Sequence, residues 1–408
     1  MPTTKKIGLS LGADLCWPKC FEDILQRWNP TVKVGGKSVR FAVERVTIEP
    51  FDLRKPTRYD LVIDRLTHWY ANTREWIKSS ILLDDLYVFN NPWSVQSMEK
   101  QTSYSAMMRL GFPIPDTWLV PPKEYEKQPD LDRTLESYAR FFDLKEVGDK
   151  LGYPLFMKPY DGGGWVGVTK IDDADALDAA YEESGKHVMN LQAGVVPYED
   201  FVRCVGVGPQ VRAVRYDPSA PLHERYTDTF DHLPTKDLKT LRAYTLVINA
   251  FFGWDFNSCE SLLSKGTWHP IDFANPCPDS QVTSLHQHFP WLVLSKLRWA
   301  LFCAATERPF KKTLDWEPYL EVARTDVPFA DKLEAYSDLA EKHFETDRFE
   351  EFCNKQLSDL EPVAREYFET DEAKSAVRQK VEALFPEHEH EEFTEHFWAA
   401  IQTWRVGG

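Results

Sequence analysis

The stretch Tyr153–Lys170, YPLFMKPYDGGGWVGVTK, decides how the fold of this chain is interpreted. The apolar residues before Lys158 and the β-rich run after the glycines predict two strands joined by a glycine loop. Consecutive glycines let backbone N–H groups approach a ligand and point at anionic oxygen, and a lysine just before them supplies charge for a phosphate. The stretch therefore indicates a phosphate-binding loop made by Gly162, Gly163 and Gly164. A flexible hairpin tip is the alternative interpretation.

Two familiar nucleotide loops do not fit this stretch. No Gly-Lys-Ser/Thr follows the glycines, which excludes a Walker loop. No helix is predicted to open directly after them, which excludes the dinucleotide-binding fingerprint. The residues before and after the loop must therefore decide between a ligand site and a hairpin tip.

Composition and charge limit the class of protein. A length of 408 residues predicts two or three domains, and 43% hydrophobic with 13% aromatic residues is enough for a sizeable core. The net charge of −16 argues against nucleic acid and against an anionic membrane as partners, because both would repel the chain. No segment approaches the roughly 18 consecutive apolar residues of a membrane helix, and the start MPTTKKIGLSLG does not resemble a signal peptide.

The cysteines indicate a reducing compartment. There are seven, an odd number, and they are widely scattered. Cys16 and Cys20 are four residues apart, which places them on one face of a helix, but no second pair completes a zinc site. We therefore expect reduced thiols in a cytoplasmic protein.

The first hundred residues alternate between strand and helix patterns, which predicts an open and mostly parallel sheet. Strands are expected over 6–11, 40–48, 59–63 and 87–89. Four side chains fall near the carboxyl ends of these strands, where such sheets usually bind ligands. They are Cys16, Trp17, Asp64 and Arg65, and ordinary loop contacts are an equally good interpretation.

Further along, helices are predicted over 97–110, 131–151, 236–252 and 285–305. The segment FVRCVGVGPQVRAVRY, residues 201–216, predicts a β-hairpin that turns at Gly208-Pro209. From about residue 311 the chain becomes acidic and helical. The histidines of HEHEEFTEH in this part do not have HExxH spacing, so a solvated helix face is preferred to a metal site.

Three separated features fit the activation of an acceptor group by ATP. Glu99-Lys100 opens a helix, and Lys158 precedes the glycine loop. Glu260 and Asp272 stand twelve residues apart on two predicted strands, with Asn275 close behind. Two carboxylates and an amide oxygen form a hard oxygen site suited to Mg²⁺. Each acid alone would be interpreted as a surface group, and only their combination indicates a site.

This order of features resembles the ATP-grasp superfamily over roughly residues 88–280, and it is most similar to the ribosomal-protein S6 glutamate ligase branch. The resemblance implies that Lys100 and Lys158 hold phosphates under a lid of Gly162, Gly163 and Gly164. It implies that Gln192, Val195 and Val196 contact adenine and that Glu199 or Asp200 holds the ribose. It also implies Arg203 and Arg215 as inward-facing groups near the phosphates or the acceptor, with Arg212 as a solvated surface charge, and Glu260, Asp272 and Asn275 as ligands of Mg²⁺ or Mn²⁺.

The metal pattern departs from that of the family. Asn275 follows Asp272 by three residues instead of two, and the second acid is Asp instead of Glu. Either the end of the strand is remodelled or Asn275 is a weaker ligand. These departures bear on the number of metal ions more than on nucleotide binding.

The expected architecture is an α/β ATP-grasp fold in four parts. These are an N-terminal open-sheet domain (1–97), a lid subdomain (98–191), a subdomain with the metal site (192–310) and an acidic helical extension (311–408) outside the catalytic machinery. The expected activity is ATP-dependent ligation of a small carboxylate or peptide to an amine through an acyl phosphate. A kinase acting on a hydroxyl and a non-catalytic nucleotide-binding module are the alternatives, and a homodimer is an open alternative to a monomer.

Overall fold

The computed structural model describes residues 2–47, 49–67, 70–94, 99–161, 166–227 and 233–407. The chain divides into two compact units. The first unit consists of Met1–Gln96, Val202–Ser258 and Pro276–Gly408, and the second of Ser97–Phe201 and Cys259–Asn275. Gly162, Gly163 and Gly164 lie outside the described residues. Within the described part, no helix is both long and apolar enough to cross a membrane.

A five-stranded sheet forms the N-terminal part of the first unit; four of its strands and their mostly parallel arrangement were predicted, and β2 was not. Its strands are β1 (Thr3–Ser10), β2 (Val32–Val34), β3 (Lys37–Arg45), β4 (Leu61–Asp64) and β5 (Tyr87–Phe89), in the order β2-β3-β1-β4-β5. All neighbours are parallel except β2 and β3. The chain leaves β1 toward β3 on one side and later returns to β4 on the other. The carboxyl ends of β1 and β4 therefore flank the crevice where such sheets bind ligands.

Helices of the first unit surround one central helix. The helices are α1 (Cys16–Trp28), α2 (Ala71–Asp84), α7 (Thr235–Phe252), α8 (Val282–Leu285), α9 (Phe289–Ala305), α10 (Glu317–Ala323), α11 (Phe329–Phe344), α12 (Thr346–Gln356), α13 (Leu360–Tyr367), α14 (Asp371–Glu382) and α15 (His390–Gly407). Helix α9 is apolar around nearly its whole circumference, which is typical of a buried helix. It packs against α1, β1 and β4 as well as α12, α13 and α15. The C-terminal part is helical, as expected, and it belongs to the first unit.

The first unit also contains the predicted arginine hairpin. Strand β10 (Asp200–Val207) enters it from the second unit and pairs with β11 (Gln210–Arg215). The turn requires Gly208, whose φ is +55° and whose added Cβ would come within 2.4 Å of Trp299. A two-residue turn at this position fixes the register of the two strands.

The second unit contains a four-stranded sheet with helices packed against it. The strands are β6 (Thr117–Val120), β7 (Leu155–Pro159), β8 (Thr169–Ile171) and β9 (Met189–Ala193), in the order β6-β9-β7-β8 with antiparallel neighbours. The helices are α3 (Lys100–Leu110), α4 (Leu131–Tyr138), α5 (Leu144–Leu151) and α6 (Ala174–Ser184). The single helix expected over 131–151 is two helices, because the Asp143 side chain accepts hydrogen bonds from the first N–H groups of α5 and caps it.

A second hairpin carries the predicted metal ligands. Strand β12 (Phe256–Ser264) begins in the first unit and continues into the second, where it pairs with β13 (Thr267–Asp272). Lys265 and Gly266 join the strands with φ values of 50° and 73°, as a tight turn of this kind needs.

Candidate active site

Apolar and polar side chains alternate along β7 and β9, so the sheet of the second unit has one apolar face and one polar face. Leu155, Met157 and Leu191 lie on the apolar face, in the core formed with helices α5 and α6. Lys158 pairs directly with Asn190, and Gln192 lies two residues further along the same strand. Opposed residues, and residues two apart, share a face of a sheet. The polar face therefore presents Lys158, Asn190 and Gln192 together.

Lys158 is buried and is held by two acceptors. Its Nζ donates to Gln192 Oε1 at 2.7 Å and to the carbonyl oxygen of Ile271 at 3.2 Å. The amide nitrogen of Gln192 donates in turn to Thr117 Oγ1 at 2.9 Å, which fixes the orientation of the amide. Burial lowers the pKa of Lys158 to about 8; Lys100 also lowers it, while Asp272 and Glu260 oppose the shift. A buried amine with these neighbours is suited to a phosphate, which would restore its full charge.

Lys100 reaches the same place from a different element. It is the first residue of α3, and its backbone N–H donates to the carbonyl oxygen of Tyr160 at 2.7 Å, just beyond β7. Its buried Nζ lies 3.5 Å from Asp272 Oδ2. The two predicted phosphate lysines thus converge on the end of β13, Lys158 at Ile271 and Lys100 at Asp272.

A β-bulge places the two predicted metal acids opposite each other. The turn pairs Ser264 with Thr267, and this register would oppose Glu260 to Ile271. The register shifts between Glu260 and Ser261, so that Glu260 pairs with Asp272 instead. Without the extra residue the two carboxylates would lie on opposite faces of the hairpin.

The donor set fits a hard cation only in part. Glu260 is buried and Asp272 is half-buried, and their carboxylates lie on adjacent strands. Asn275 is half-buried just beyond β13. Within the described residues no group of three or more His, Cys, Asp or Glu side chains could hold a metal ion. Two carboxylates suit a Mg²⁺ ion that keeps water molecules and is completed by phosphate oxygens.

Sequence reasoning missed two residues at this site. Tyr104 donates its hydroxyl to the carbonyl oxygen of Ile271 at 2.7 Å, and its ring packs on Phe273. Its spacing of four residues from Lys100 on one helix was the available signal. Asn190 is fully buried, and in the part of the chain that the structure describes neither polar atom of its amide has a hydrogen-bond partner. A polar residue inside the apolar run HVMNL was the signal for Asn190.

The residues predicted to contact adenine and ribose begin with Gln192 in β9, continue along the connector after it and end with Asp200 in β10. Val195 is half-buried and Val196 is exposed. Glu199 accepts a hydrogen bond at Oε1 from the N–H of Lys265 at 3.0 Å, and its own N–H donates to Leu263 O at 2.7 Å. Asp200 opens β10. The assignments of Gln192, Val195, Val196, Glu199 and Asp200 to the nucleoside stay predictions.

The pairing of the arginines was predicted wrongly. Arg203 opposes Val214, and Arg212 opposes Val205, so Arg203 and Arg212 share a face while Arg215 lies on the other. The reason is geometric. Along one strand, residues an even number apart share a face. On the two strands that a two-residue turn joins, residues an odd number apart share a face.

Arg212 is also not a solvated surface charge. It packs over the ring of Trp291, 5.1 Å from its centroid, and burial lowers its pKa to about 10. Arg203 lies over the rings of Tyr216 and Tyr226 at 4.6 and 5.3 Å, and it donates to the Tyr226 hydroxyl. The face that carries Arg215 includes Gly206, where an added Cβ would touch Thr245 and Asn249 of α7.

The chain is similar to several curated D-alanine–D-alanine ligases. It is 28% identical to that of Streptomyces griseus over 184 residues, which are 42% of this chain and 44% of the relative. It is 31% identical to that of Pseudarthrobacter chlorophenolicus over 108 residues, which are 26% of this chain and 25% of the relative. The match spans less than half the length of these relatives. No protein-family model matches the chain.

Solved structures similar to this chain come from two groups. A RimK-domain ATP-grasp protein from Sphaerobacter thermophilus is 13% identical, with 72% of this chain and 97% of that chain covered and a TM-score of 0.49. A D-alanine–D-alanine ligase from Bacillus anthracis, complexed with ATP, is 13% identical, with 84% and 99% covered and a TM-score of 0.47.

Proposed function

We propose that the chain is an ATP-grasp enzyme, an ATP-dependent ligase that joins a carboxylate to an amine, in keeping with its partial similarity to D-alanine–D-alanine ligases. The observation that supports this proposal most is the convergence of two buried lysines, Lys100 and Lys158, at the end of β13. Beside Lys158 lies the buried amide of Asn190, whose polar atoms have no hydrogen-bond partner within the described residues. A buried amide without partners costs free energy, and a polar ligand that accepts from its N–H group and donates to its oxygen would remove that cost, while the two lysines favour a ligand with negative charge.

The proposed reaction has two steps. A carboxylate oxygen of the first substrate attacks the γ-phosphorus of ATP, the bond to the ADP oxygen breaks, and an acyl phosphate forms. The lone pair of the amine then attacks the acyl carbon, inorganic phosphate leaves with the electrons of the broken C–O bond, and the amine loses a proton. Lys100 and Lys158 oppose the negative charge of the phosphoryl group as it moves. Arg203 and Arg215 stay candidates for the same task on two different faces of their hairpin.

Glu260, Asp272 and Asn275 would hold Mg²⁺ or Mn²⁺ together with ATP oxygens. A bound divalent cation supplies charge neutralisation at the transferred phosphoryl group. On the protein side, Asp272 orients Lys100 through their ion pair, and the bulge keeps Glu260 beside it.

We also infer a cytoplasmic site of action. All seven cysteines have free thiols, and ATP is a cytoplasmic substrate. The partners in this proposal are ATP and a small carboxylate or peptide.

The test is a turnover assay with ATP, Mg²⁺ and pools of L- and D-amino acids. Release of ADP and phosphate together with a product mass equal to two substrates less one water supports the ligase. A product carrying a stable phosphate would instead identify a kinase. Lys158→Ala should abolish turnover and weaken nucleotide binding about ten- to a hundredfold, while Lys170→Ala, which changes a surface lysine of the same sheet, should leave both unchanged. Wild-type turnover by Lys158→Ala would contradict the assignment.

A further inference from the structure

Arg65 lies in the crevice at the carboxyl ends of β1 and β4. Its side chain is buried, and its Nε lies 3.2 and 3.3 Å from the two carboxylate oxygens of Asp14. One terminal nitrogen donates to the carbonyl oxygen of Pro278 at 2.8 Å. Asp64, the residue before Arg65, has a structural role. Its carboxylate accepts from Ser10 Oγ and from two N–H groups of the turn after β4, so it stabilises the strand end.

Lys296 of α9 enters the same crevice. It is 0% exposed, and its Nζ lies 3.5 Å from the ring centroid of Trp17 and 4.4 Å from that of Phe256. Its hydrogen-bond partner is Ser280 Oγ at 3.1 Å, and among the described residues it has no ion-pair partner. Burial lowers the pKa of Lys296 well below its ordinary value, with Arg65 adding to the effect while Asp14 opposes it. An ammonium group over two aromatic rings is favourable, but it still lacks a counter-charge.

Lys380 comes from the C-terminal helices. It lies on α14, which packs against α1 and α8. The side chain is 5% exposed, and in the part of the chain that the structure describes it has neither a hydrogen-bond nor an ion-pair partner. Burial lowers the pKa of Lys380, against the attraction of Asp14 and Asp279. Most of the side chain of Lys380 is therefore covered by protein, and its ammonium group has no carboxylate partner among the described residues, so it is available to an anion in the crevice.

The carboxylates nearby are already occupied. Asp14 accepts from Arg65 and from Trp17 Nε1 at 2.8 Å. Asp279 accepts from the N–H of Gln281 at 2.9 Å. Asp64 is likewise engaged by Ser10 and the turn after β4. Three basic side chains therefore meet three carboxylates whose oxygens already have partners, and Lys296 and Lys380 have no ion-pair partner among the described residues. A singly charged carboxylate adds less uncompensated charge to this balanced cluster than a phosphate dianion does, which favours a carboxylate.

We propose that Arg65, Lys296 and Lys380 form a binding site for a small organic carboxylate at the carboxyl ends of β1 and β4. In this assignment the C-terminal helices contribute directly to substrate recognition, through Lys380. The inference rests on the proposed ligase function only for its biological meaning, since the anion would then belong to the acid or amino acid that the enzyme joins. The site itself is defined by the geometry of the first unit.

Acetate is the probe, with chloride at the same ionic strength as the reference. The midpoint of thermal unfolding is measured for the full chain over a series of sodium acetate concentrations. We expect acetate to raise the midpoint in a saturable manner beyond the effect of chloride. Lys380→Met and Lys296→Met should each weaken the apparent acetate affinity about ten- to a hundredfold. Lys380→Arg, which keeps the charge, should retain most of it.

Lys374→Met is the matched control, because Lys374 lies on the same helix but pairs with Glu395 at the surface. It should behave like the wild type. No acetate effect in the wild type, an equal effect of chloride, or an undiminished acetate effect in both Lys380→Met and Lys296→Met would overturn the carboxylate site. A cooperative unfolding transition of Lys380→Met without acetate shows that the variant is folded.

The same proteins are tested for ADP binding and turnover. Nucleotide binding with turnover but without any acetate effect would leave the ligase proposal standing and remove the carboxylate site. An acetate effect that Lys380→Met abolishes, in a protein that never releases ADP, would keep the site and contradict the ligase.

Discussion

The ammonium group of Lys158 titrates in a range where nucleotide binding can be measured. Its pKa of about 8 is depressed by burial, and a bound phosphate would favour the charged form and raise that pKa. Below about pH 8 the group is charged both with and without nucleotide, so affinity should not depend on its titration. Above this pH the free protein must take up a proton on binding, and ADP affinity should fall by up to about tenfold per pH unit. Calorimetric titration from about pH 7 to about pH 9 measures this.

Lys158→Arg is the control for this pH dependence. A guanidinium group stays charged over the whole range, so its ADP affinity should not fall above about pH 8. An identical decline in Lys158→Arg would assign the titration to another group.

Asn190 offers a second prediction for a single residue. Leucine has a similar shape and no polar atoms, so Asn190→Leu removes an unsatisfied buried amide and should raise the free energy of unfolding by about 1 kcal/mol. If the amide serves a ligand, the same substitution should weaken ADP binding roughly tenfold. Urea unfolding and calorimetry provide the two measurements. A less stable variant with unchanged ADP affinity would show that Asn190 has a structural role.

How well single residues could be predicted depended on whether local sequence marked them. Lys158 and Lys100 could be singled out because each lies at a recognisable break: Lys158 precedes the glycine triplet, and Lys100 opens a helix. Tyr104 and Asn190 were not predicted, because their importance arises from what lies opposite them: the carbonyl group of Ile271 and the side chain of Lys158.

The β12–β13 hairpin has a consequence for catalysis. Glu260→Gln and Asp272→Asn should each lower kcat by an amount equivalent to roughly 2–4 kcal/mol, while ADP affinity changes much less. The physical reason is that charge at the phosphoryl group grows in the transition state. Steady-state kinetics and calorimetry test this, with Asp172→Asn at the surface as a control. Turnover that survives in the double variant would place the metal site elsewhere.

The packing of the β10–β11 hairpin predicts which of Arg203, Arg212 and Arg215 matters most for turnover. Both faces of the hairpin are packed, that of Arg215 on α7 and that of Arg203 and Arg212 on α9, where Arg212 lies over Trp291. We assign the proposed contact with the reacting groups to Arg203, whose guanidinium group is held over two tyrosine rings. Arg203→Ala should lower turnover at least about tenfold more than Arg215→Ala or Arg212→Ala does. All three are measured in one assay at saturating ATP. Equal losses for Arg203→Ala and Arg215→Ala would mean that both faces of the hairpin take part, and the assignment to Arg203 would be wrong.

Strands and helices were predicted well wherever periodicity was strong. Four of the five strands of the first sheet, the hairpin turn at Gly208-Pro209 and α9 all follow from apolar patterns and turn residues, whereas the three-residue strand β2 was missed. Register was not predictable. The bulge at Glu260, which brings two acids together, leaves no mark in the alternation of apolar and polar residues.

For the molecule as a whole, the C-terminal helices are part of the core of the first unit. Phe344 of α11 is fully buried, with its ring 6.0 Å from that of Trp299 in α9. Phe344→Ala should lower the free energy of unfolding by about 3–5 kcal/mol, through lost burial and the cavity that remains. Phe141→Ala is the matched control, because Phe141 is 99% exposed. Similar urea-unfolding curves for the two variants would show that the C-terminal helices do not stabilise the first unit.

The grouping of distant stretches could not be predicted from sequence. Composition and patterning suggest four consecutive parts, and that division stays a prediction. The two units are assembled from five stretches, because α9 and the sheet of the first unit need apolar partners that lie far along the chain. Local patterns report which face of a helix is apolar, but they do not report which other segment will cover it.

Stretches of the two units alternate along the chain, and this determines the order in which their parts are synthesised. Helix α1 leaves the ribosome early, but α13 and α14, which pack against it, are translated more than three hundred residues later. Strand β13 of the second unit is synthesised only after the whole stretch 202–258 of the first unit. Neither unit can therefore finish folding before the next begins, as domains in series do during translation. The surface of α9 that α12, α13 and α15 cover stays exposed until these helices have been made, although α1, β1 and β4 can pack on α9 earlier.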